Sequence, residues 1–310
     1  MIIQTKDPKS IQPHLKNLFI PSKDSHKGQN GKVLIIGGSK LFHSSPIWSA
    51  EVSSHFVDMV HFSSTAENNE ILKSLKKQFL NGIVIHKINI LDYVKEDDAI
   101  LIGPGMIRGD IKNQVSESRT FQEIINLEDE ADYARQLMFY LITHHPNKRF
   151  VIDAGALQMM DASWLKYLIK PAIITPHVLE FERLFEVSIE KSSNLERQKI
   201  VSEMASKYRC TILLKSVVDI VSNGEKSYNI EGGNTGLTKG GSGDVLAGLV
   251  LSFRAKNDDF DSCIFASFIE KFAAEKLALD YGIWFNTTDL VTEIPKTTHL
   301  LFDKILAIKK

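Results

Sequence analysis

Residues 211–248 read TILLKSVVDIVSNGEKSYNIEGGNTGLTKGGSGDVLAG. Asn223-Gly224 stands between two β-rich runs, which predicts an antiparallel hairpin. The chain then passes through a glycine-rich loop into VLAGLVLSF (245–253), an apolar run that predicts a buried helix. Glycines directly before a helix leave the first-turn N–H groups open, and with the helix dipole behind them they form an anion hole suited to phosphate. Gly241 and Gly243 let the backbone approach an oxyanion closely, with the Ser242 hydroxyl expected near the same point. Asp244 falls at the helix start. It is either an N-cap carboxylate or a base that takes a proton from a phosphoryl acceptor. A carboxylate beside an anion hole repels a bound phosphate, so a purely structural cap is better served by serine or asparagine.

Working outward, KVLIIGGS (32–39), MVHFSS (59–64), GIVIHKI (82–88), AILIGPG (99–105), RFVIDAG (149–155) and AIITPH (172–177) are short apolar runs ending in turn residues or at a loop. Such runs suit strands buried on both faces. Between them lie helical patterns. In 132–145, Tyr133, Leu137 and Leu141 share one face, and in 194–208 Leu195, Ile200 and Ala205 align roughly. Alternating strands and helices predict an α/β, three-layer fold: a mainly parallel central sheet with helices on both faces and a β-hairpin excursion. Ligands then gather at the carboxyl ends of the strands. The polar stretch 106–132 reads as a surface insertion with a short helix at most. No paired linkers or repeats divide the chain, so 1–310 is expected to be one domain with its core at about 25–300.

Composition narrows the function. With 43% hydrophobic and 24% charged residues and a net charge of -1, the chain has the balance of a globular protein and no basic footprint for nucleic acid or an anionic membrane. Its two cysteines, Cys210 and Cys263, lie far apart, which fits a reduced cytoplasmic setting. No secretory or membrane-spanning segment is expected. Neither HExxH nor a GxxxxGK[ST] loop occurs, so zinc chemistry and the commonest NTPase class lack support.

The stretch GNTGLTKGGSGDVLAG (233–248) resembles the signature of the NAD(P)H-hydrate dehydratases, a branch of the ribokinase-like carbohydrate kinases. HKGQNGKVLIIGGS (26–39), IGPGM (102–106), VIDAGAL (151–157), ITPH with EF (within 174–181), LLKS (213–216) and NTTDLVTEIP (286–295) follow in the family's order. The resemblance implies a repair reaction: ADP or ATP phosphorylates the C6 hydroxyl of NADHX or NADPHX, and phosphate leaves to regenerate NADH or NADPH. It implies Asp244 as base, Gly241 and Gly243 amides on the developing charge, and Mg²⁺ arriving with the nucleotide. It places nucleotide contacts on Lys215, Ser216, Val217, Val218 and Asp219, on Gly243, and on Asn234 of the glycine-rich loop. It places hydrate contacts on Ser45, Gly105 and His177, with Asp244. It also implies a homo-oligomer, in relatives commonly a tetramer, and a functional partner, NAD(P)H-hydrate epimerase, expected here on a separate chain.

Structural alternatives stand beside these roles. Lys215 reads equally as a lysine snorkelling from a strand end, and His177 as a structural or solvated histidine. Glu180 is either a water-mediated Mg²⁺ contact or a helix N-terminal acid favoured by the dipole. The sequence departs from the family on the acceptor side: Ser44-Ser45 replaces Gly-Ala, TPHVLE stands where TPHPGE is usual, and Ile107 replaces a common glycine. Bulk at Ile107 and Leu179 is expected to narrow the acceptor pocket. Rival readings are a small-molecule kinase of the same superfamily, acting on a vitamin-precursor alcohol or a sugar, and a non-catalytic nucleotide-binding protein.

Overall fold

Successive residues of a strand point to opposite faces, and here both faces are apolar. Val33, Ile35, Phe62, Leu101, Val151 and Leu213 join one buried cluster, while their neighbours Leu34, Ile36, Ile100, Ile102, Ile152 and Leu214 join another. The computed structural model describes residues 1–74, 80–110 and 114–306. Its strands are β1 (Ile2–Gln4), β2 (Lys32–Ile36), β3 (Met59–Ser63), β4 (Gly82–Val84), β5 (Ala99–Ile102), β6 (Arg149–Ile152), β7 (Ile173–Ile174), β8 (Thr211–Leu214), β9 (Asp219–Ser222) and β10 (Ser227–Glu231). They form one sheet in the order β1-β10-β9-β8-β7-β6-β5-β2-β3-β4. Only β9 runs antiparallel to its neighbours, β8 and β10. Each of the six apolar runs contains a strand, and the Asn223-Gly224 hairpin joins β9 to β10.

The helices are α1 (Gln12–Leu15), α2 (Ser44–Ser53), α3 (Ala66–Ser74), α4 (Ile90–Glu96), α5 (Phe121–Ile125), α6 (Glu130–His144), α7 (Ala154–Met159), α8 (Val178–Phe185), α9 (Asn194–Tyr208), α10 (Ser242–Arg254), α11 (Asp259–Tyr281) and α12 (Thr287–Leu306). Apolar side chains of α2, α10, α11 and α12 cover one face of the sheet, and those of α4 to α9 cover the other. The expected helix 132–145 is α6, which buries Tyr133, Leu137 and Leu141. The expected helix 194–208 is α9, but Leu195 is 76% exposed and the buried contacts come from Val201 and Ala205. The stretch 106–132 contains α5, closed by a Thr120–Glu123 capping box, and reaches the start of α6. It is not wholly superficial, since Met106 and Ile124 are buried, and its residues 111–113 lie outside the described residues.

Two features lie beyond the periodicity of the sequence. Residues 2–4 add β1 to the sheet edge beside β10, ahead of the expected core. α11 is buried nearly all round from Phe260 to Ala274, so no one-sided apolar stripe announces it.

The sheet changes direction between β2 and β5, which are adjacent although two strands separate them in sequence. Loops leaving such a switch point diverge and open a crevice. Here the Gly38 amide donates to Pro104 O at 2.7 Å, and a Cβ on Gly37 would lie 2.3 Å from the same oxygen. α2 follows the first of these loops and packs on α10. Ser49 Oγ donates to Asp244 O at 2.7 Å, and Ser53 Oγ to Gly248 O at 3.1 Å. A Cβ on Gly248 would meet Ser49 O and Val52 Cγ1 at 2.6 Å. We expect Gly248→Val to cost about 1–3 kcal/mol by forcing these helices apart, read as a lowered unfolding temperature.

Candidate active site

The glycine-rich loop is held from both sides. Asn234 caps its first turn, with Oδ1 accepting from the Gly236 amide at 2.8 Å and Nδ2 donating to Ala274 O at 2.7 Å. Thr287 Oγ1, at the start of α12, donates to Gly240 O at 2.8 Å. Gly241 is the N-cap of α10, with φ 101° and no side-chain cap bond. A Cβ there would fall 2.4 Å from the Trp48 ring, so glycine is required by both conformation and space. The Ser242 hydroxyl does not face the expected anion site: it donates back to Leu237 O at 2.6 Å and Lys239 O at 3.0 Å.

Asp244 is the third residue of α10, inside the first turn. The helix cap is therefore Gly241, and the capping account of this carboxylate fails. Instead the Asp244 side chain is hydrogen-bonded by Ser45, at the start of α2. Gly105 packs against Ser45, since a Cβ on it would lie 3.1 Å from Ser45 Cβ. The switch-point loops and the helix start thus bring Ser45, Gly105 and Asp244 together.

Lys215, just past β8, turns inward instead of snorkelling. Its Nζ lies 2.7 Å from Asp153 Oδ1 and would lie 3.3 Å from a Cβ on Gly243. Asp153, at the end of β6, is buried and also accepts from Thr175 Oγ1 at 2.8 Å. Burial disfavours the Lys215 ammonium, but Asp153, Glu180 and Asp244 outweigh it, so its pKa is raised and it stays charged. Asp244 receives less help. Burial, and then the Asp153 carboxylate, push it up to about 7 against the pull of Ser45 and Lys215, with Glu180 adding to the rise.

His177 and Glu180 form a capping box at the start of α8. His177 Nδ1 accepts from the Glu180 amide at 3.3 Å, and Glu180 Oε2 accepts from the His177 amide at 2.9 Å. Glu180 Oε1 accepts from Gln158 Nε2 at 2.8 Å. Both carboxylate oxygens of Glu180 are thus engaged, which its helix-terminal position accounts for. The His177 ring remains half exposed at the cleft.

A cleft of about 490 Å³ runs from Lys215 and Gly243 to Gly233 and Asn234. Asp219 holds its rim and does not point into it as a free ligand: Oδ1 accepts from the Ser216 amide at 2.8 Å and Oδ2 from Ser267 Oγ at 2.7 Å. Val217 stands 90% exposed at the lip, and Val218 faces a second opening on the far side of the same loop, which Leu179 also lines. Leu179 is 61% exposed. Ile107 lines a separate small recess beside Gly37, Gly38 and Lys87. Asp153, Glu270 and Lys271 belong to the site as well. Asp153 stood in VIDAGAL as its one charged residue, directly after a strand run.

A family profile described as NAD(P)H-hydrate dehydratase matches residues 33–296. The chain belongs to this family. It is 30% identical over 312 residues to the ADP-dependent (S)-NAD(P)H-hydrate dehydratase of Nitrosopumilus maritimus, covering 96% of this chain and 99% of that one. It is 32% identical to the bifunctional NAD(P)H-hydrate repair enzyme Nnr of Methanothermobacter thermautotrophicus, covering 90% of this chain but only 52% of that longer protein. The chain therefore spans about half the length of the bifunctional relative and nearly all of the single-function one. The fold matches the ADP/ATP-dependent NAD(P)H-hydrate dehydratase of Bacillus subtilis co-crystallised with ATP and Mg²⁺, at TM-score 0.74 and 18% identity, covering 95% of this chain and 97% of that one. The architecture is thus the ribokinase-like one. Among the described residues, no helix is long and apolar enough to cross a membrane.

Lys215→Ala is expected to weaken ADP and ATP binding about tenfold or more, through loss of a charge-assisted contact to phosphate. It is also expected to cost roughly 3–5 kcal/mol of stability, by leaving buried Asp153 unpaired. The double variant Asp153→Asn/Lys215→Met should regain much of that stability but not the nucleotide affinity, as calorimetry and thermal unfolding would separate.

Proposed function

We infer that this chain is an ADP- or ATP-dependent NAD(P)H-hydrate dehydratase, a lyase of nicotinamide nucleotide repair. Asp244 carries the reading. It is a partly buried carboxyl raised to about 7, held by Ser45 in the first turn of α10 and close to a lysine. That pKa suits a general base near neutrality.

In this mechanism the nucleotide lies in the cleft with its terminal phosphate at the start of α10, near Lys215. The Gly241 and Gly243 amides and the helix dipole face the charge that develops on the transferring phosphoryl group. The hydrate lies on the side of Ser45 and Gly105, and His177, at the rim of the nucleotide cleft, is its contact from that side. Asp244 takes the proton of the C6 hydroxyl as its oxygen attacks phosphorus, and the P–O bond to the leaving nucleotide breaks. The ring-nitrogen lone pair then expels phosphate from C6, and loss of a proton from the adjacent carbon restores the dihydronicotinamide. Ser216, Val217, Val218, Asp219 and Asn234 form and brace the nucleotide cleft.

Mg²⁺ belongs to this reading as the nucleotide's companion. Among the described residues no cluster of three or more His, Cys, Asp or Glu side chains could hold a metal, and each carboxylate oxygen of Glu180 already accepts a hydrogen bond from the protein. The described residues form no metal cage, so the ion would ride on the phosphates. A functional partner, NAD(P)H-hydrate epimerase, belongs to the same reading. Assembly as a homo-oligomer, such as a tetramer, belongs to the same reading.

Asp244→Asn should keep nucleotide affinity while lowering NADHX-dependent phosphate release about 10²–10⁴-fold. Turnover close to normal would remove the base assignment. In the unaltered protein, kcat/KM should fall as pH drops below about 7, where Asp244 takes up a proton. Stability has the matching sign. The folded pKa lies above the ordinary 3.8, so folding opposes ionisation. Asp244→Asn should raise the unfolding temperature above about pH 7, with the gain shrinking towards pH 4.

A further inference from the structure

α11 holds both walls of the nucleotide cleft. Ser267 Oγ donates to Asp219 at 2.7 Å, and Lys271 Nζ donates to Ser216 O at 3.3 Å and Val217 O at 3.1 Å. One turn on, Glu275 Oε1 accepts from the Gly233 amide at 3.0 Å, while Ala274 O accepts from Asn234. Residues 267, 270, 271, 274 and 275 lie on one side of the helix by the three- and four-residue spacing. Ser267, Lys271 and Glu275 are each bonded to a loop or strand end from this side. Glu270 is not.

Glu270 is 5% exposed and lines the cleft, and its enclosed Oε1 has no hydrogen-bond partner. Burial, and then the neighbouring Asp219 carboxylate, push it up to about 8 against Lys271 and Lys215. A buried carboxyl without a partner costs stability, and native structures rarely leave one without a use. The phosphates are not its partner, because in the reading above they belong at the start of α10. Nearby walls from Leu237, Leu246 and Gly233 are apolar and suit a ring.

We propose that Glu270 reads the nucleoside half of the cosubstrate by pairing its carboxyl with an uncharged hydrogen-bond donor there, a ribose hydroxyl or the exocyclic amine of the purine. The proposal rests on the nucleotide reading above. Such a contact sets donor specificity without touching the reacting atoms.

The test is calorimetric binding of ADP, 2′,3′-dideoxy-ADP and inosine diphosphate to the unaltered protein, Glu270→Leu and Glu270→Gln. The unaltered protein should prefer ADP over one analogue by about tenfold or more. Loss with the dideoxy nucleotide identifies the ribose, and loss with inosine diphosphate identifies the amine. Glu270→Leu should bind ADP only as well as that analogue, and its own affinity for the analogue should be nearly unchanged. Glu270→Gln, which keeps an acceptor oxygen, should retain part of the preference. Both variants should unfold without ligand at or above the normal temperature, whereas a structural role predicts a lower one. Equal weakening of all three nucleotides, or unchanged ADP binding, overturns the proposal. Failure of the unaltered protein to bind any nucleotide would instead overturn the reading on which it rests.

Discussion

The ammonium of Lys215 lies 2.7 Å from the buried carboxylate of Asp153, and that pairing determines what remains for Asp244. Three carboxylates, on Asp153, Glu180 and Asp244, raise the pKa of this one lysine. Glu180 is satisfied by amide donors, and Asp153 has both the lysine and Thr175. Asp244 is left with a hydroxyl from Ser45 and a share of the lysine field, too little to offset its burial. A low-dielectric pocket with one cation for several acids therefore produces a carboxyl poised near neutrality.

The fold makes this crowding possible. β6 ends just before Asp153, β8 ends just before Lys215, and the first turn of α10 carries Asp244. The reversal of strand order between β2 and β5 supplies the other wall, through Gly105 and the start of α2. Close approach of α2 and α10 depends on Gly248. α11 then ties the Ser216–Val218 and Gly233–Asn234 loops to one helix, so the two walls of the cleft share a frame.

Much of this was legible in the chain because local chemistry and final position agree. The six apolar runs become strands, most of them buried on both faces and the edge strand β4 leaving Ile83 42% exposed, and Asn223-Gly224 turns where its own conformational preference directs. The glycine loop before α10 is equally local. What the sequence withheld depends on contacts between distant segments. Asp153 looks like an ordinary strand-end acid until β8 delivers Lys215 to it, and Ser242 spends its hydroxyl on the loop that precedes it. His177 becomes a cap because Glu180 lies three residues on, a spacing visible in the sequence. α11 escapes periodicity because it is buried all round, and with it the role of Lys271 and the unpartnered Glu270. Leu195 aligns with an apolar stripe yet faces outward, since the start of α9 projects beyond the core.

The most direct measurement is the titration of Asp244 itself, by carbon-13 NMR of labelled aspartate carboxyls, with the resonance assigned by its absence in Asp244→Asn. The account predicts a midpoint near 7 in the unaltered protein. It predicts a lower midpoint in Asp153→Asn, where a repelling charge is gone and the Lys215 field is freed for Asp244. A midpoint near the ordinary 3.8 in the unaltered protein, or one that does not move in Asp153→Asn, would contradict the account.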